Sequence, residues 1–365
     1  MSAGGKSILS PFRDRALVER VAREVRGASN GEACRIMHVC GTHEWAITHA
    51  GLREMLPEGV EVVAGPGCPV CVTPGGEIDA MADLACGGAA VTTFGDVVRV
   101  PGRKTSLAEA KADGGDVRVV YGMADAIRMA RREPGKGFVH FSIGFETTAP
   151  MAAIEVGRGL PANMSVFSTH KLIPPAMEFL LRAGIEVDGF ICPGHVSTII
   201  GADAYRGLAE GYGKPMVVAG FEPLDVMLGV LEIVRQKRAG IATVSNMYGR
   251  AVSQRGNELA VEAMEMVFER ADAEWRGIGR IPGSGLRLRR EYAGSDAAVR
   301  FGIGEVPADG MPAGCGCGDV LLGRIRPEGC ALFGRSCRPE SPVGPCMVSL
   351  EGTCSIAYKY RDKMQ

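Results

Sequence analysis

The sequence predicts an α/β protein: two similar, duplicated α/β lobes with parallel sheets facing each other across a cleft, followed by a cysteine-rich C-terminal domain. Three observations predict it. Short apolar runs alternate with stretches of helical periodicity through residue 245, the pattern of a layered parallel sheet. That pattern restarts near residue 138 with the same landmarks in the same order. Beyond residue 245 the periodicity fades, and six of the twelve cysteines follow Gly314 among Gly, Pro and Arg.

Taken in order, 14–27 (DRALVERVAREVRG) carries apolar residues at helical spacing and stops at Gly27, which reads as a helix. CRIMHV (34–39) is a short apolar strand running into Cys40-Gly41-Thr42-His43-Glu44, and a helix continues to about Leu56. VEVVAG (60–65) is a strand that opens on Pro66-Gly67-Cys68-Pro69-Val70-Cys71. A helix over 77–86, strands at 89–94 and 117–120, and a helix over 122–132 complete the first lobe. In the second, strands are expected at 138–144, 164–169, 187–192 and 215–220, with a long helix over 222–238. An amphipathic helix is expected over 254–270, before the Gly-rich, basic stretch GIGRIPGSGLRLR.

The restart reads as duplication. Thr42-His43, Gly59-Val60 and Cys68-Pro69 are echoed by Thr169-His170, Gly184-Ile185 and Cys192-Pro193, at offsets of 127, 125 and 124. The expected units are 14–133, 134–245 and 246–365. Strand-end loops of both lobes would line the cleft, where open α/β sheets bind ligands.

Lys+Arg number 41 and Asp+Glu 42, a net charge of −1. No global field favours nucleic acid or an anionic membrane. The N-terminal MSAGGKSILSPFRDR lacks the apolar core of a secretory signal, and no run approaches the roughly 20 apolar residues of a membrane span. A cytoplasmic protein is expected, and there twelve cysteines point to metal ligands or redox groups before structural disulfides.

A Gly/Pro-rich tail cannot bury much apolar surface, so a metal or covalent link is expected to hold it. Thiolates at irregular spacing suit an iron–sulfur cluster, for which four Cys ligands are the rule. A four-cysteine zinc site is the rival, but only Cys315-x-Cys317 is closely spaced. Six cysteines leave two over, and two thiols beside a cluster can form a redox disulfide; spacing leaves open which two. Cys68-Pro69-Val70-Cys71 is a C-x-x-C after a strand, a redox signal, with half a zinc knuckle as the alternative. Pro74-Gly75-Gly76 delays the following helix, which weakens any dipole effect on the thiols.

Cys40, Thr42, His43 and Glu44 put a thiol, hydroxyl, imidazole and carboxylate at one strand-to-helix turn, whose N–H groups suit an anion. His43 would serve as base to Cys40, or both would position a soft metal; a plain helix cap is the alternative. Glu146, in Gly144-Phe145-Glu146-Thr147-Thr148, stands at the matching strand end of the second lobe, with an N-cap cluster as the bland reading. Cys192-Pro193-Gly194-His195 adds a thiol and the His195 imidazole. Cys34 and Cys86 read as small buried hydrophobes. There is no P-loop, no G-x-G-x-x-G and no C-x3-C-x2-C, so nothing argues for nucleotide binding or for radical chemistry on S-adenosylmethionine.

CGTHE at 40–44, GPGCPVC at 65–71, GFETTAP at 144–150, PGHVSTIIG at 193–201 and the cysteine-rich tail resemble the HypD family of hydrogenase maturation factors, over about residues 34–360. The resemblance implies an iron–sulfur scaffold in assembly of the Fe(CN)2CO group of [NiFe]-hydrogenases, working with a HypC-type small chaperone and a HypE-type cyanide donor. It implies that Cys40 holds the iron. It also implies a [4Fe–4S] cluster on Cys315, Cys330, Cys337 and Cys354, with Cys317 and Cys346 as a neighbouring redox disulfide, an environment like that of ferredoxin:thioredoxin reductase. Thr42, His43 and helix N-terminal amides would donate hydrogen bonds to cyanide nitrogens, and Cys68/Cys71 would pass electrons or help hold the iron. A cluster-dependent thiol/disulfide reductase acting on a partner protein is the rival reading, and a zinc-stabilised binding module the third.

Overall fold

Nine short strands form two parallel sheets in a computed structural model that describes residues 9–306 and 310–361. In chain order they are β1 (Cys34–His38), β2 (Val60–Ala64), β3 (Ala90–Thr93), β4 (Val117–Val119), β5 (Phe138–Gly144), β6 (Met164–His170), β7 (Gly189–Pro193), β8 (Met216–Ala219) and β9 (Val244–Asn246). One sheet has the order β2-β1-β7-β8-β9 and the other β4-β3-β5-β6. Every residue of β5 is buried, as continuous apolar runs in sheets covered on both faces require.

The two sheets are interleaved in sequence. The chain begins in the five-stranded sheet with β1 and β2, builds the four-stranded sheet with β3–β6, then returns for β7–β9. Met37 of β1 lies opposite Val63 of β2 on one side and Phe190 of β7 on the other. The strands expected within 14–133 are therefore shared between both sheets, and residue 133 does not divide them. Each sheet reverses its strand order once, between β1 and β7 and between β3 and β5. Ligands of open α/β sheets bind beyond the strand carboxyl ends at such points.

Helices Arg15–Ser29 and Pro223–Ala239 cover one face of the five-stranded sheet. Val18, Val25, Val230 and Val234 pack there against Ile36, Val62 and Ile191. The four-stranded sheet has its own cover, in which Ala126, Val156, Met264 and Phe268 meet Phe138 and Val166. A third and larger core joins both sheets to the C-terminal segment: Met37, Val91, Phe141 and Phe190 share it with Cys317, Cys346 and Cys354. The tail thus lacks a core of its own and completes that of the sheets.

Three expectations change. The helix expected to run to Leu56 breaks into Gly41–His49 and Leu52–Met55 at Gly51, whose φ of +62° is a left-handed geometry suited to glycine. The helix expected over 254–270 ends at Val267. From Phe268 the chain forms an antiparallel hairpin, β10 (Phe268–Trp275) and β11 (Gly279–Leu288), because Phe268, Trp275, Ile281 and Leu288 are buried by tertiary contacts that helical spacing would not align. Cys86 is exposed at the end of helix Gly75–Cys86, whereas Cys34 is buried as expected.

Candidate functional site

The turn after β1 is the centre of the site. Cys40 has extended backbone (φ −154°) and caps helix Gly41–His49. Its thiol is buried, which pushes its pKa up to about 11 with help from nearby Glu351. The amides of His43 and Thr42 and the Thr42 hydroxyl face the sulfur and pull the other way. A thiol so placed gives up its proton when a cation replaces it. Two glycines allow the surrounding approach. A Cβ on Gly67 would overlap the backbone of Val39 and Cys40, and one on Gly41 would overlap Glu351. With neither present, the Gly41 N–H donates to the Gly67 carbonyl at 3.0 Å, and the two cysteine motifs touch through their backbones.

The neighbouring strand ends add a ring cluster. His43, fully buried in the first turn of helix Gly41–His49, places Nε2 2.9 Å from the Gly220 carbonyl, beyond β8. Burial lowers its pKa to about 3, so the ring is neutral and Nε2–H is the donor, while Nδ1 has no partner among the described residues. Its only proton is already committed, and that of the Thr42 hydroxyl goes to Glu351, which leaves the helix amides as the hydrogen-bond donors of this turn. Phe221 stacks on His195, with centroids 3.9 Å apart, and lies 4.9 Å from the His43 ring. The strand order β1-β7-β8 is what brings Cys40, His195 and Phe221 to one place.

Glu44 turns the opposite way. Its buried carboxylate receives hydrogen bonds from Arg53 at 2.6 and 3.0 Å and from Thr48 at 2.8 Å, and contacts His38 Nε2 at 2.8 Å. Burial opposes its ionisation, but Arg53 and His38 overcome that and hold Glu44 well below the usual carboxylate range. Glu44 fixes the helix and does not face Cys40. Glu146 is also buried: Oε1 accepts the Ile173 N–H at 2.9 Å, and the carboxyl lines a separate cavity.

Cys68 and Cys71 form a disulfide with Cα atoms 5.3 Å apart, and both are almost completely buried. Three residues, Val72 to Pro74, separate them from helix Gly75–Cys86, so the helix dipole is not aimed at either sulfur. Arg276, in the β10–β11 turn, donates its backbone N–H to the Val72 carbonyl at 2.9 Å, and the charge of its guanidinium adds to the lowering of the Cys317 thiol. One buried arginine therefore spans the disulfide loop and the tail.

The tail cysteines converge. The neighbouring Cys315 and Cys346 thiols pull Cys317 well below the ordinary thiol range, while Cys317 pushes Cys315 and Cys346 upward. Cys354 likewise raises Cys346. Cys330 is felt by both Cys315 and Cys354, and Cys337 by Cys354. Cys330 accepts the Gly316 N–H at 3.2 Å and Cys337 the Val343 N–H at 3.4 Å. Among the described residues, no three His, Cys, Asp or Glu side chains are arranged to hold a single metal ion. A cluster is larger than an ion, and its thiolates stand farther apart.

Sequence reasoning missed Glu351, Arg53 and Arg276. Glu351 accepts the Thr42 hydroxyl at 3.1 Å. The available signal was its place in Leu350-Glu351-Gly352, just before Cys354. Arg53 and Arg276 carried none, since both stand among ordinary charged residues.

Comparison with known proteins agrees with these motifs. Residues 15–361 match the family described as HypD, the hydrogenase formation hypA family. The chain is 47% identical to a putative hydrogenase expression/formation protein of Methanocaldococcus jannaschii, over 96% of this chain and 99% of the relative. It is 44% identical to the hydrogenase maturation factor HypD of Rhodobacter capsulatus, over 96% of this chain and 97% of that protein. The HypD of Escherichia coli is likewise 44% identical, over 90% of each chain. The chain belongs to the HypD family of hydrogenase maturation factors.

Proposed function

We propose that this protein is the iron–sulfur redox scaffold on which the Fe(CN)2CO group of [NiFe]-hydrogenases is assembled, with Cys40 as its ligand to the iron cargo. The observation that carries the reading is the contact between the Cys40 turn and the Cys68–Cys71 loop, with the same core reaching the tail cysteines. Iron arriving at Cys40 offsets the burial that keeps its thiol protonated and displaces the proton. Low-spin iron with cyanide and CO accepts a soft thiolate. The N–H groups of the following helix would donate to cyanide nitrogens, and the Thr42 hydroxyl would join them on turning away from Glu351.

Cys315, Cys330, Cys337 and Cys354 would hold a [4Fe–4S] cluster, which when bound supplies electrons. Their fit rests on the convergence of all six tail cysteines, in which Cys317 is influenced by both Cys315 and Cys346 and Cys354 by Cys330, Cys337 and Cys346; which two form the redox pair is carried by the family resemblance. The Cys68–Cys71 disulfide is a two-electron store beside Cys40. Its reduction breaks the S–S bond, takes two electrons and two protons, and leaves two thiols. A HypC-type chaperone would supply the second protein ligand to iron, and a HypE-type partner the cyanide. No helix among the described residues is long and apolar enough to cross a membrane, in keeping with a cytoplasmic scaffold. The rival, a reductase of partner disulfides, needs an accessible sulfur at Cys68 or Cys71, and their burial counts against it.

The test is infrared spectroscopy of the anaerobic complex with the small chaperone. Cyanide and CO stretches are expected, and Cys40→Ala should abolish them. Stretches that survive this substitution would overturn Cys40 as the ligand.

A further inference from the structure

Behind the β5 strand end lies a cavity of about 540 Å3, within the range of small-molecule sites. Its walls are apolar: Leu172, Pro174, Pro175, Ile200, Leu208 and Phe268. Among the polar groups that interrupt these walls, Glu146 is the buried one with an unpaired oxygen. It is 2% exposed, its Oε1 is satisfied by Ile173, and its Oε2 has no hydrogen-bond partner among the described residues. A buried carboxylate oxygen left unpaired is costly to keep, and the residue that carries it lines empty space of ligand size.

The charge around the cavity selects the ligand's sign. Glu178 and Glu265 join Glu146 in its lining, against the single cation Arg270. Glu178 also carries the Tyr212 hydroxyl (3.2 Å) and Arg182 (2.7 Å), so its carboxylate is anchored. Arg182 offsets the charge of Glu178, so a second anion would meet Glu146 and Glu265 against Arg270. A cation would meet a desolvated carboxyl ready to pair.

We infer that this cavity is a binding site for a small organic amine, its apolar body against the proline, leucine and phenylalanine walls and its ammonium paired with the Glu146 carboxyl. The site is independent of the iron-assembly reading: it uses neither Cys40 nor any tail cysteine. Burial lifts the Glu146 carboxyl to about 7, and an ammonium bound beside it would favour the ionised form.

Three probes of nearly one shape test the charge: 2-phenylethylamine, 2-phenylethanol and 3-phenylpropionate. Each is titrated into the full chain carrying 13C-methyl methionine, with the Met264 methyl, which lines the cavity, as the NMR reporter. The amine should bind saturably with Kd on the order of 1 mM or tighter, and at least tenfold more tightly than either analogue. Glu146→Gln should weaken the amine at least tenfold and leave the alcohol nearly unchanged. Gly207→Phe is a second variant that does not touch Glu146. Gly207 lies in helix Arg206–Tyr212 at the cavity edge, where an added Cβ meets nothing within 4 Å, so the ring should fill the opening without disturbing the fold and abolish amine binding. Equal binding of alcohol and amine, tighter binding of the acid, no saturable binding of the amine, or full amine affinity in either variant would each overturn the assignment.

Discussion

Replacing Arg53 by methionine isolates what holds the Cys40 helix in place. The Arg53 side chain is 16% exposed and that of Glu44 3%. Between them run two charged hydrogen bonds, and a third from Arg53 Nε to the Val62 carbonyl at 3.0 Å ties helix Leu52–Met55 to β2. Methionine keeps much of the apolar stem but leaves the Glu44 carboxylate buried beside His38 and Thr48 alone. Removing one partner of such a pair costs about 3–5 kcal/mol. Urea unfolding followed by both circular dichroism and tryptophan fluorescence measures the loss, coincident curves licensing the two-state treatment. The sign of the pH dependence is fixed by Glu44. Its folded pKa is depressed below the ordinary value of about 4.3, so the pair's stabilisation is present above that value and lost as pH falls towards the folded one. The gap between the native protein and Arg53→Met should therefore be widest near neutrality and narrow below about pH 4. Glu44→Gln combined with Arg53→Met should cost less than the two changes summed, by roughly 0.5–3 kcal/mol. A single-variant loss under about 1 kcal/mol, or strict additivity, would refute the buried ion pair as the fastening of this turn.

Cysteine-to-serine changes across the tail test the proposed division: loss of visible cluster absorbance is expected at Cys315, Cys330, Cys337 and Cys354 and its retention at Cys317 and Cys346, whereas uniform loss would contradict it. Intact mass after purification without reductant should show the Cys68–Cys71 disulfide, and Cys68→Ser should abolish that signature while Cys40→Ala leaves it. Gly67→Ala places a methyl against the Cys40 backbone and should cost about 1–3 kcal/mol and break the link between the two motifs, read as faster exchange of the Gly41 amide. Trp275→Ala removes a 1% exposed ring whose Nε1 donates to Ser284 at 2.8 Å, and should lower stability by about 3–5 kcal/mol in calorimetry.

Much of the candidate site was legible because it is local. Cys68 and Cys71 are three residues apart, so their sulfurs meet across one turn whatever the rest of the chain does. Cys40 at a strand-to-helix junction is a boundary that apolar spacing marks well. The roles of the residues beside it were not legible. His43 and Glu44 are neighbours in one motif, yet helical geometry sends the ring of one to the Gly220 carbonyl and the carboxylate of the other to Arg53. The hairpin at Phe268 was hidden for the same reason: its pattern is set by what it packs against.

By itself the sequence determined the α/β class, the strand runs, the cysteine motifs and the family they mark, since each rests on spacing within a few residues or on a long motif match. Tertiary structure alone decided the interleaving of the two sheets. The β1–β7 pairing brings Arg35 to Asp188, 153 residues away, and parallel pairing at that range leaves no local trace. It also decided that Glu351 lies over Cys40, that Arg276 spans the disulfide and the tail, and that Glu146 faces a cavity of its own. Each of these depends on which distant surfaces are buried together, and burial belongs to the folded chain as a whole.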